Sequence, residues 1–384
     1  MHIGIAAPFL THPFAPLLSL NHAKVPKGLG GTSIVQLVQG LIKKGFKLSI
    51  YSLDPSTDCI RTFRGDQITL SYGPYRQRHM MRDFMKIERQ AVRAMIEQDL
   101  PDIVHAHWTY EYALGALSTN IPTLITVRDW APTVLRYSCN LYRLGRLAMN
   151  ITTLRRGAHF SAVSPYIKTC LERYLKQDIP VVPNFLQEAA FLLPERNPNL
   201  DAPVIASMSG GFGRLKNVKV LLRAFKIIRK ELPTAKLLLY GDDFGPHGSC
   251  ESWAMRKGLV DGVCFKGHVP HDEVLKELEM IDLMIHPSLE ESFGMSILEG
   301  MAKRVPVIAG KESGAVPWLL GFGEAGVLVD VQSPNAIAIG ALEILTNKSK
   351  WIAISQNGFR RARSSFNMTD GIAEYVKLYK SFIR

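Results

Sequence analysis

A chain of 384 residues with 47% hydrophobic and 21% charged residues has an ordinary globular composition and the length of two domains, each able to bury its own core. Disordered and fibrous classes are excluded, and no run of about 18 apolar residues offers a membrane-spanning helix. The net charge of +12 is uneven: residues 1–190 hold 22 Lys and Arg against 13 Asp and Glu, which suggests an anionic partner for that half, or simply solubility.

The opening MHIGIAAPFL lacks a basic leader and a long apolar run, so no secretory signal is expected. Five cysteines (Cys59, Cys139, Cys170, Cys250 and Cys264) form no CxxC pair, which argues against a zinc site or a disulfide framework and fits a cytoplasmic setting.

Along the chain, short β-rich runs alternate with helical patterns. The first half predicts strands at His2–Ala7, Lys47–Ser52, Ile103–His105, Thr123–Val127 and Phe160–Val163, with helices at Ser33–Lys44 and Arg82–Gln98. The second half predicts strands at Val204–Met208, Lys236–Tyr240, Val263–Phe265, Leu283–His286, Val305–Ile308 and Val327–Val329. Its helices are predicted at Val218–Leu232, Asp272–Met280 and Met295–Ala302. This alternation means α/β, two Rossmann-like doubly wound domains facing a cleft. The break falls near Asn184–Asp201, rich in proline, giving an N-terminal domain over 1–190 and a C-terminal domain over 200–365. The last segment, Ile372–Arg384, has apolar residues at helical spacing.

In the first half, the loop after the first strand carries Gly28-Leu29-Gly30-Gly31-Thr32-Ser33. Thr32 or Ser33 is a candidate N-cap, and Gly30 and Gly31 would bring backbone amides to a phosphate; a plain tight turn is the alternative. The run Tyr75–Arg93 interleaves Arg76, Arg78, Arg82, Lys86, Arg89 and Arg93 with Met80, Met81, Phe84 and Met85. It reads as a solvated helix face, or as a basic amphipathic segment for peripheral contact with an anionic membrane. His105-Ala106-His107-Trp108 ends a strand. Its HxH spacing is taken to put the rings on opposite sides, His105 inward and His107 toward the cleft, so that no joint metal site is expected without a third ligand nearby. Arg128 and Asp129 stand at the end of the next strand, where a surface arginine or a salt bridge between the two is the bland reading.

In the second half, Ser207-Met208-Ser209-Gly210-Gly211-Phe212-Gly213-Arg214-Leu215-Lys216 follows a strand. Its glycines allow close approach of a phosphate, and Arg214 and Lys216 supply charge for a diphosphate. It is not a P-loop, because Asn217 stands where a magnesium-binding hydroxyl would be needed. His286-Pro287-Ser288-Leu289-Glu290-Glu291-Ser292-Phe293-Gly294-Met295 then leads into a helix beginning at Ser292 or Gly294 and carrying Glu299. Two carboxylates at one strand-to-helix corner suit a polyol, and the amides of Phe293, Gly294 and Met295 suit sugar hydroxyls or phosphate; a capping acid and a solvated acid are the bland reading.

Together these motifs, and above all EESFGMSILEGMAKRVPVIAGKESGAVPWLL, resemble the GT4 family of retaining GT-B glycosyltransferases, the glycosyl transferases group 1, over nearly the whole chain. The resemblance implies that Glu291 contacts a donor sugar, Glu299 the ribose, and Lys216 with Arg214 the diphosphate. Gly211 stands where the family usually has arginine, which weakens the reading of Arg214. It further implies that Val263–Val269, with Gly267 and His268, packs against the base, and that His107 is catalytic, positioning the donor sugar. Where the family often has His-Asp, this chain has Arg128-Asp129, which suggests an anionic acceptor. The C-terminal helix, 366–384, would cross back onto the N-terminal domain. The implied activity is transfer of a hexosyl group, with retention, from a nucleoside-diphosphate sugar to a saccharide or lipid-linked acceptor in surface polysaccharide or glycolipid synthesis. No metal and no other cofactor is expected, because no DxD motif stands at a strand end and Asp242-Asp243 reads as a turn. Rival readings are a sugar-nucleotide epimerase on a similar fold and a non-catalytic nucleotide-sugar-binding scaffold. Nucleic acid is not expected as a partner, because no binding motif accompanies the charge.

Overall fold

A computed structural model describes residues 1–18 and 25–382. The chain divides into two compact units, Met1–Phe185 with Met368–Arg384, and Leu186–Asn367.

The first unit runs β1 (His2–Ala6), α1 (Thr32–Lys43), β2 (Lys47–Asp54), β3 (Arg61–Arg64), β4 (Ile68–Pro74), α2 (Lys86–Asp99), β5 (Ile103–His107), α3 (Glu111–Ala116), β6 (Thr123–Val127), α4 (Ala131–Tyr137), α5 (Leu141–Arg156), β7 (His159–Ala162) and α6 (Pro165–Leu175). Its seven strands lie in the order β3-β4-β2-β1-β5-β6-β7, parallel except for the antiparallel pair β3/β4. Central strands such as β5 and β6 are buried along their whole length, as expected of strands covered on both faces. Edge strand β3 is exposed and carries Arg61 and Arg64, charges that blunt the sheet edge.

The second unit runs β8 (Val204–Met208), α7 (Val218–Glu231), β9 (Lys236–Tyr240), α8 (Ser249–Arg256), β10 (Val263–Gly267), α9 (His271–Glu277), β11 (Leu283–His286), α10 (Met295–Ala302), β12 (Val307–Gly310), α11 (Val316–Leu319), β13 (Val327–Val329), α12 (Pro334–Leu345) and α13 (Lys348–Ser365). Its order, β10-β9-β8-β11-β12-β13, is parallel throughout. Strand order reverses between β1 and β5 in the first sheet and between β8 and β11 in the second. Such switch points open a crevice beyond the strands' carboxyl ends.

Helix α7 buries Val218, Leu221, Leu222, Phe225 and Ile228, the i, i+3, i+4 stripe of an amphipathic helix. Each such side chain contributes about 1.5–3 kcal/mol on burial. Trp351, fully buried on α13, donates its indole N–H to the carbonyl of Asp282 at 2.6 Å, so its polar end is satisfied. The last helix, α14 (Met368–Phe382), belongs to the first unit, as the GT-B resemblance implied for the C-terminal helix. It buries Met368, Ile372, Tyr375 and Tyr379 in the core that holds Ile34, Leu37 and Leu41 of α1. The last two residues of the expected segment, 383 and 384, lie outside the described residues.

Several expectations need correction. The segment expected as one helix over Arg82–Gln98 splits: a 3-10 turn covers Met80–Asp83, and α2 starts at Lys86 after Phe84 and Met85 take left-handed backbone. The strand expected at Val305–Ile308 lies at Val307–Gly310. Strands β3 and β4 were not anticipated.

Candidate functional site

In the second unit, the turn after β8 and the loop after β11 flank the switch point, and the backbone joins them: Leu289 N–H donates to the Leu215 carbonyl at 2.9 Å. Lys216 therefore meets Glu291, with Nζ 2.6 Å from Oε1. The same oxygen receives His286 Nε2 at 3.0 Å. His286 is buried at the end of β11, and its Nδ1 faces Ser296 Oγ at 3.4 Å. Burial alone would raise the Glu291 carboxyl, but the Lys216 ammonium and the His286 hydrogen bond overturn it and hold the group well below the usual carboxylate range. Glu291 is thus a carboxylate. Its second oxygen, Oε2, makes no hydrogen bond to the described residues, and two of the three Lys216 donors stay uncommitted.

Glu299 repeats the pattern one helical turn into α10. It is buried, and its Oε1 receives His271 Nε2 at 2.9 Å while Oε2 is left. A carboxylate only accepts, so His271 carries its proton on Nε2. The two glutamates come from one strand-to-helix corner, as expected, but each is held by its own histidine. Sequence reading assigned a role to neither His271 nor His286. The signal for His286 was present in the strand end that precedes the glutamates; His271, on α9, is distant in sequence.

Helix α10 begins at Gly294, whose φ of 104° suits glycine alone. Gly294, not Ser292, is the N-cap, and no side chain caps the helix. By contrast, Asn140, Ser164, Ser333 and Asn347 cap α5, α6, α12 and α13 with side-chain oxygens. The first amides of α10 therefore have no side-chain acceptor, as is also true of α7 and several other helices. The Phe293 side chain is buried against Trp318 and Phe366, which takes it out of reach of a ligand. Ser292 and Met295 are half-buried, and Arg214 is exposed. Asn217, in left-handed backbone, donates to the carbonyls of Pro287 and Val331 and ties the Gly-rich turn to two strand ends. Asp243 accepts from Phe212 N–H at 2.9 Å, so Asp242-Asp243 is turn chemistry. His268 is exposed and paired with Asp242 at 2.8 Å. Gly267 has a structural reason of its own: a Cβ there would lie 2.8 Å from Gly245 Cα.

In the first unit, the ends of β1, β5 and β6 bring the Gly-rich loop, His107 and Arg128 together. The expectation for the two histidines is corrected: residues two apart on a strand share a face, and the rings of His105 and His107 lie against each other, tilted by 41°, with centroids 3.9 Å apart. Both are fully buried. His105 Nδ1 pairs with Tyr379 OH at 2.7 Å and its Nε2 with Thr126 Oγ1 at 2.6 Å. Burial, then the charge of Arg128, holds His105 well below its ordinary pKa; for His107 burial comes first, followed by His105 and Arg128. Arg128 makes no salt bridge with Asp129. It donates to His107 Nδ1 at 3.0 Å, Ser33 Oγ at 2.9 Å and Asn184 Oδ1 at 2.6 Å, and packs over Trp108. Asp129 accepts from Tyr110 OH at 2.9 Å; burial, opposed by Arg146, raises its carboxyl. The N-cap of α1 is Gly31, not Thr32 or Ser33, and a Cβ on it would sit 2.8 Å from the Pro8 carbonyl oxygen. Gly30 has open space around it.

The basic run is less uniform than its sequence suggests. Arg76 is turned inward, bidentate to fully buried Glu88 and to Asp83. Arg93 pairs with Glu97. No helix of the described residues is long and apolar enough to cross a membrane, and no group of three or more His, Cys, Asp or Glu among them is placed to hold a metal ion.

The family described as Glycosyl transferases group 1 matches residues 193–361, and Glycosyltransferase Family 4 matches residues 30–189. N-acetyl-alpha-D-glucosaminyl L-malate synthase of Bacillus anthracis is 29% identical over 304 residues, 74% of this chain and 75% of that protein. D-inositol 3-phosphate glycosyltransferase of Corynebacterium urealyticum is 29% identical over 194 residues, 47% of this chain and only 45% of the relative's length. Among solved structures, sucrose-phosphate synthase from Thermosynechococcus elongatus superposes with a TM-score of 0.78 at 20% identity, covering 99% of this chain and 98% of that one. HepE from Anabaena, in complex with UDP and glucose, gives 0.70 at 16% identity over 99% and 100%. The chain belongs to the group 1, family 4 glycosyltransferases and has the GT-B fold.

Proposed function

We propose that this glycosyltransferase moves a hexosyl group from a nucleoside-diphosphate sugar to an acceptor hydroxyl with retention of configuration. The observation that carries the reading is the Lys216–Glu291–His286 cluster at the β8/β11 switch point, beside the uncapped start of α10. Lys216 and the α10 amides meet the diphosphate and stabilise it as it leaves, so no metal is required for that charge. Glu291 Oε2 accepts a sugar hydroxyl, and Glu299 Oε2 a ribose hydroxyl. In the reaction the anomeric C–O bond to the diphosphate breaks, the acceptor oxygen bonds to the anomeric carbon, and the acceptor proton passes to a diphosphate oxygen. His107 contacts the sugar, and Trp108 and Asp129 lie on the acceptor side. The UDP and glucose bound to HepE agree with this donor class.

The test is a panel of UDP-, GDP- and ADP-sugars, read by melting shift and slow hydrolysis. One of them is expected to stabilise the protein. Glu299→Ala should weaken that binding at least tenfold, the cost of one or two lost hydrogen bonds to a charged group, while His107→Ala lowers turnover and spares binding. Silence across the whole panel sinks the donor reading; near-wild-type behaviour of both variants sinks the site assignment.

A lipid-linked acceptor in surface polysaccharide or glycolipid synthesis is the acceptor class we favour, with peripheral contact to an anionic membrane. Phe84, Ile87, Leu141 and Leu144 are exposed apolar residues beside exposed Arg78, Arg82 and Lys86, and Met81 packs under Gly145 to join the two segments. Vesicles containing phosphatidylglycerol should sediment the protein where phosphatidylcholine vesicles do not, and Leu141→Glu should abolish the effect. Equal partition to both vesicles removes this reading.

A further inference from the structure

The side of His107 that faces Arg128 fixes which nitrogen carries its proton. Arg128 Nε lies 3.0 Å from His107 Nδ1. A guanidinium has five donors and no acceptor, so Nδ1 must accept and is unprotonated. A neutral imidazole then holds its one proton on Nε2. Protonating Nδ1 would set N–H against N–H and cation against cation. Arg128 cannot easily turn away: Ser33 Oγ and Asn184 Oδ1 hold its Nη1, and the guanidinium lies 5.6 Å from the Trp108 ring centroid. His105 closes the other side of the ring at 3.9 Å and is itself pinned by Tyr379 and Thr126. The other nitrogen, Nε2, is buried and has no hydrogen-bond partner among the described residues. A buried N–H left unmatched costs about 1–3 kcal/mol, which a ligand acceptor would recover.

We propose that Arg128 is a positioning residue that locks His107 as the neutral Nε2–H tautomer, making His107 a permanent hydrogen-bond donor to a sugar oxygen and never a general base. The inference rests on the reading of His107 as a sugar contact. It assigns Arg128 a task other than gripping an anionic acceptor, for which only Nη2 would remain. The titratable and charged groups packed around His107 are His105 from β5, Arg128 from the end of β6, and, behind His105, Tyr375 and Tyr379 of α14. None of the four is a carboxylate that would draw a second proton onto the ring.

The test uses the full chain with ring-15N-labelled histidine, His107 being assigned by difference with His107→Gln. Nδ1 should resonate as an unprotonated nitrogen and Nε2 as a protonated one, unchanged from about pH 5 to about pH 8. A protonated Nδ1, or titration near the ordinary value of about 6.5, overturns the lock whatever the kinetics show. In Arg128→Met the lock should fail, with mixed tautomers or a titrating ring, and kcat should fall on the order of 10–100-fold with little change in KM for the donor. Arg128→Lys, which keeps a cationic donor but not the planar fork, should recover part of both. A locked tautomer in the wild type combined with full turnover by His107→Ala, which has no donor, would leave the nitrogen assignment standing, overturn the sugar contact, and with it the catalytic half of the inference.

Discussion

Glu291 and Glu299 each bond to the protein through one oxygen and keep the other, so that each carboxylate is oriented with an oxygen to spare. Removing a histidine partner would leave the carboxylate in place and loosely aimed. His271 gives this a pH signature. Its hydrogen bond to Glu299 raises its pKa against the opposing effect of burial. A raised folded-state pKa means that the pair's contribution to stability is complete below the unfolded value of about 6.5 and is lost as pH rises through the folded value. Buried His105 and His107 act with the opposite sign, losing stability as pH falls below 6.5. Comparing wild type with Glu299→Gln isolates the first effect: the gap between their melting temperatures should be widest near about pH 5.5 and narrow toward about pH 8. A gap independent of pH would show that His271 carries no such charge. The shared corner of the two glutamates was legible in the motif around Glu291, because a strand end, glutamates and glycines in that order mark a strand-to-helix turn. The histidine partners were not, since His271 reaches Glu299 only once α9 and α10 are packed.

Helix starts and strand ends carry the site, and glycine marks where backbone must come close. At α14 glycine serves packing instead. A Cβ on Gly371 would lie 2.1 Å from the Phe185 ring, and one on Gly40 of α1 would lie 2.5 Å from Ile372. Phe185 is buried and cannot swing aside. Gly371→Ala gains about 1 kcal/mol of helix propensity but forces a ring displacement costing about 1–3 kcal/mol or more. The expected outcome is net destabilisation of about 1–2 kcal/mol in denaturant melts, with the His105–Tyr379 contact disturbed as well. A stabilised variant would mean that α14 docks more loosely than drawn. Strands β3 and β4 escaped the sequence reading although Gly65-Asp66 offered a hairpin turn and Thr69, Leu70, Ser71 and Tyr72 a β-rich run. Charged Arg61 and Arg64 obscured the partner, because an edge strand is polar by design.

Across the whole molecule, the positive balance collects in residues 1–190. Part of it is internal: Arg76 neutralises buried Glu88, and Arg146 pairs with Glu111 at 2.6 Å over the Tyr110 ring. Such cations fold the unit and are not available to a membrane. Arg78, Arg82 and Lys86 remain exposed, worth about 1 kcal/mol each near an anionic surface. That sum gives weak binding unless Leu141 and its apolar neighbours insert, so the vesicle binding proposed above should weaken with salt yet depend on Leu141.

The alternation of strand and helix, the two doubly wound sheets and the glutamate motif follow from the amino-acid order, because hydrophobic period and turn chemistry are local properties. Which nitrogen of His107 is free, which histidine holds which glutamate, and which arginines face inward were decided only by folding. Each depends on partners brought together across long stretches of chain by the order of strands in a sheet, such as His105 with Tyr379 or Lys216 with Glu291.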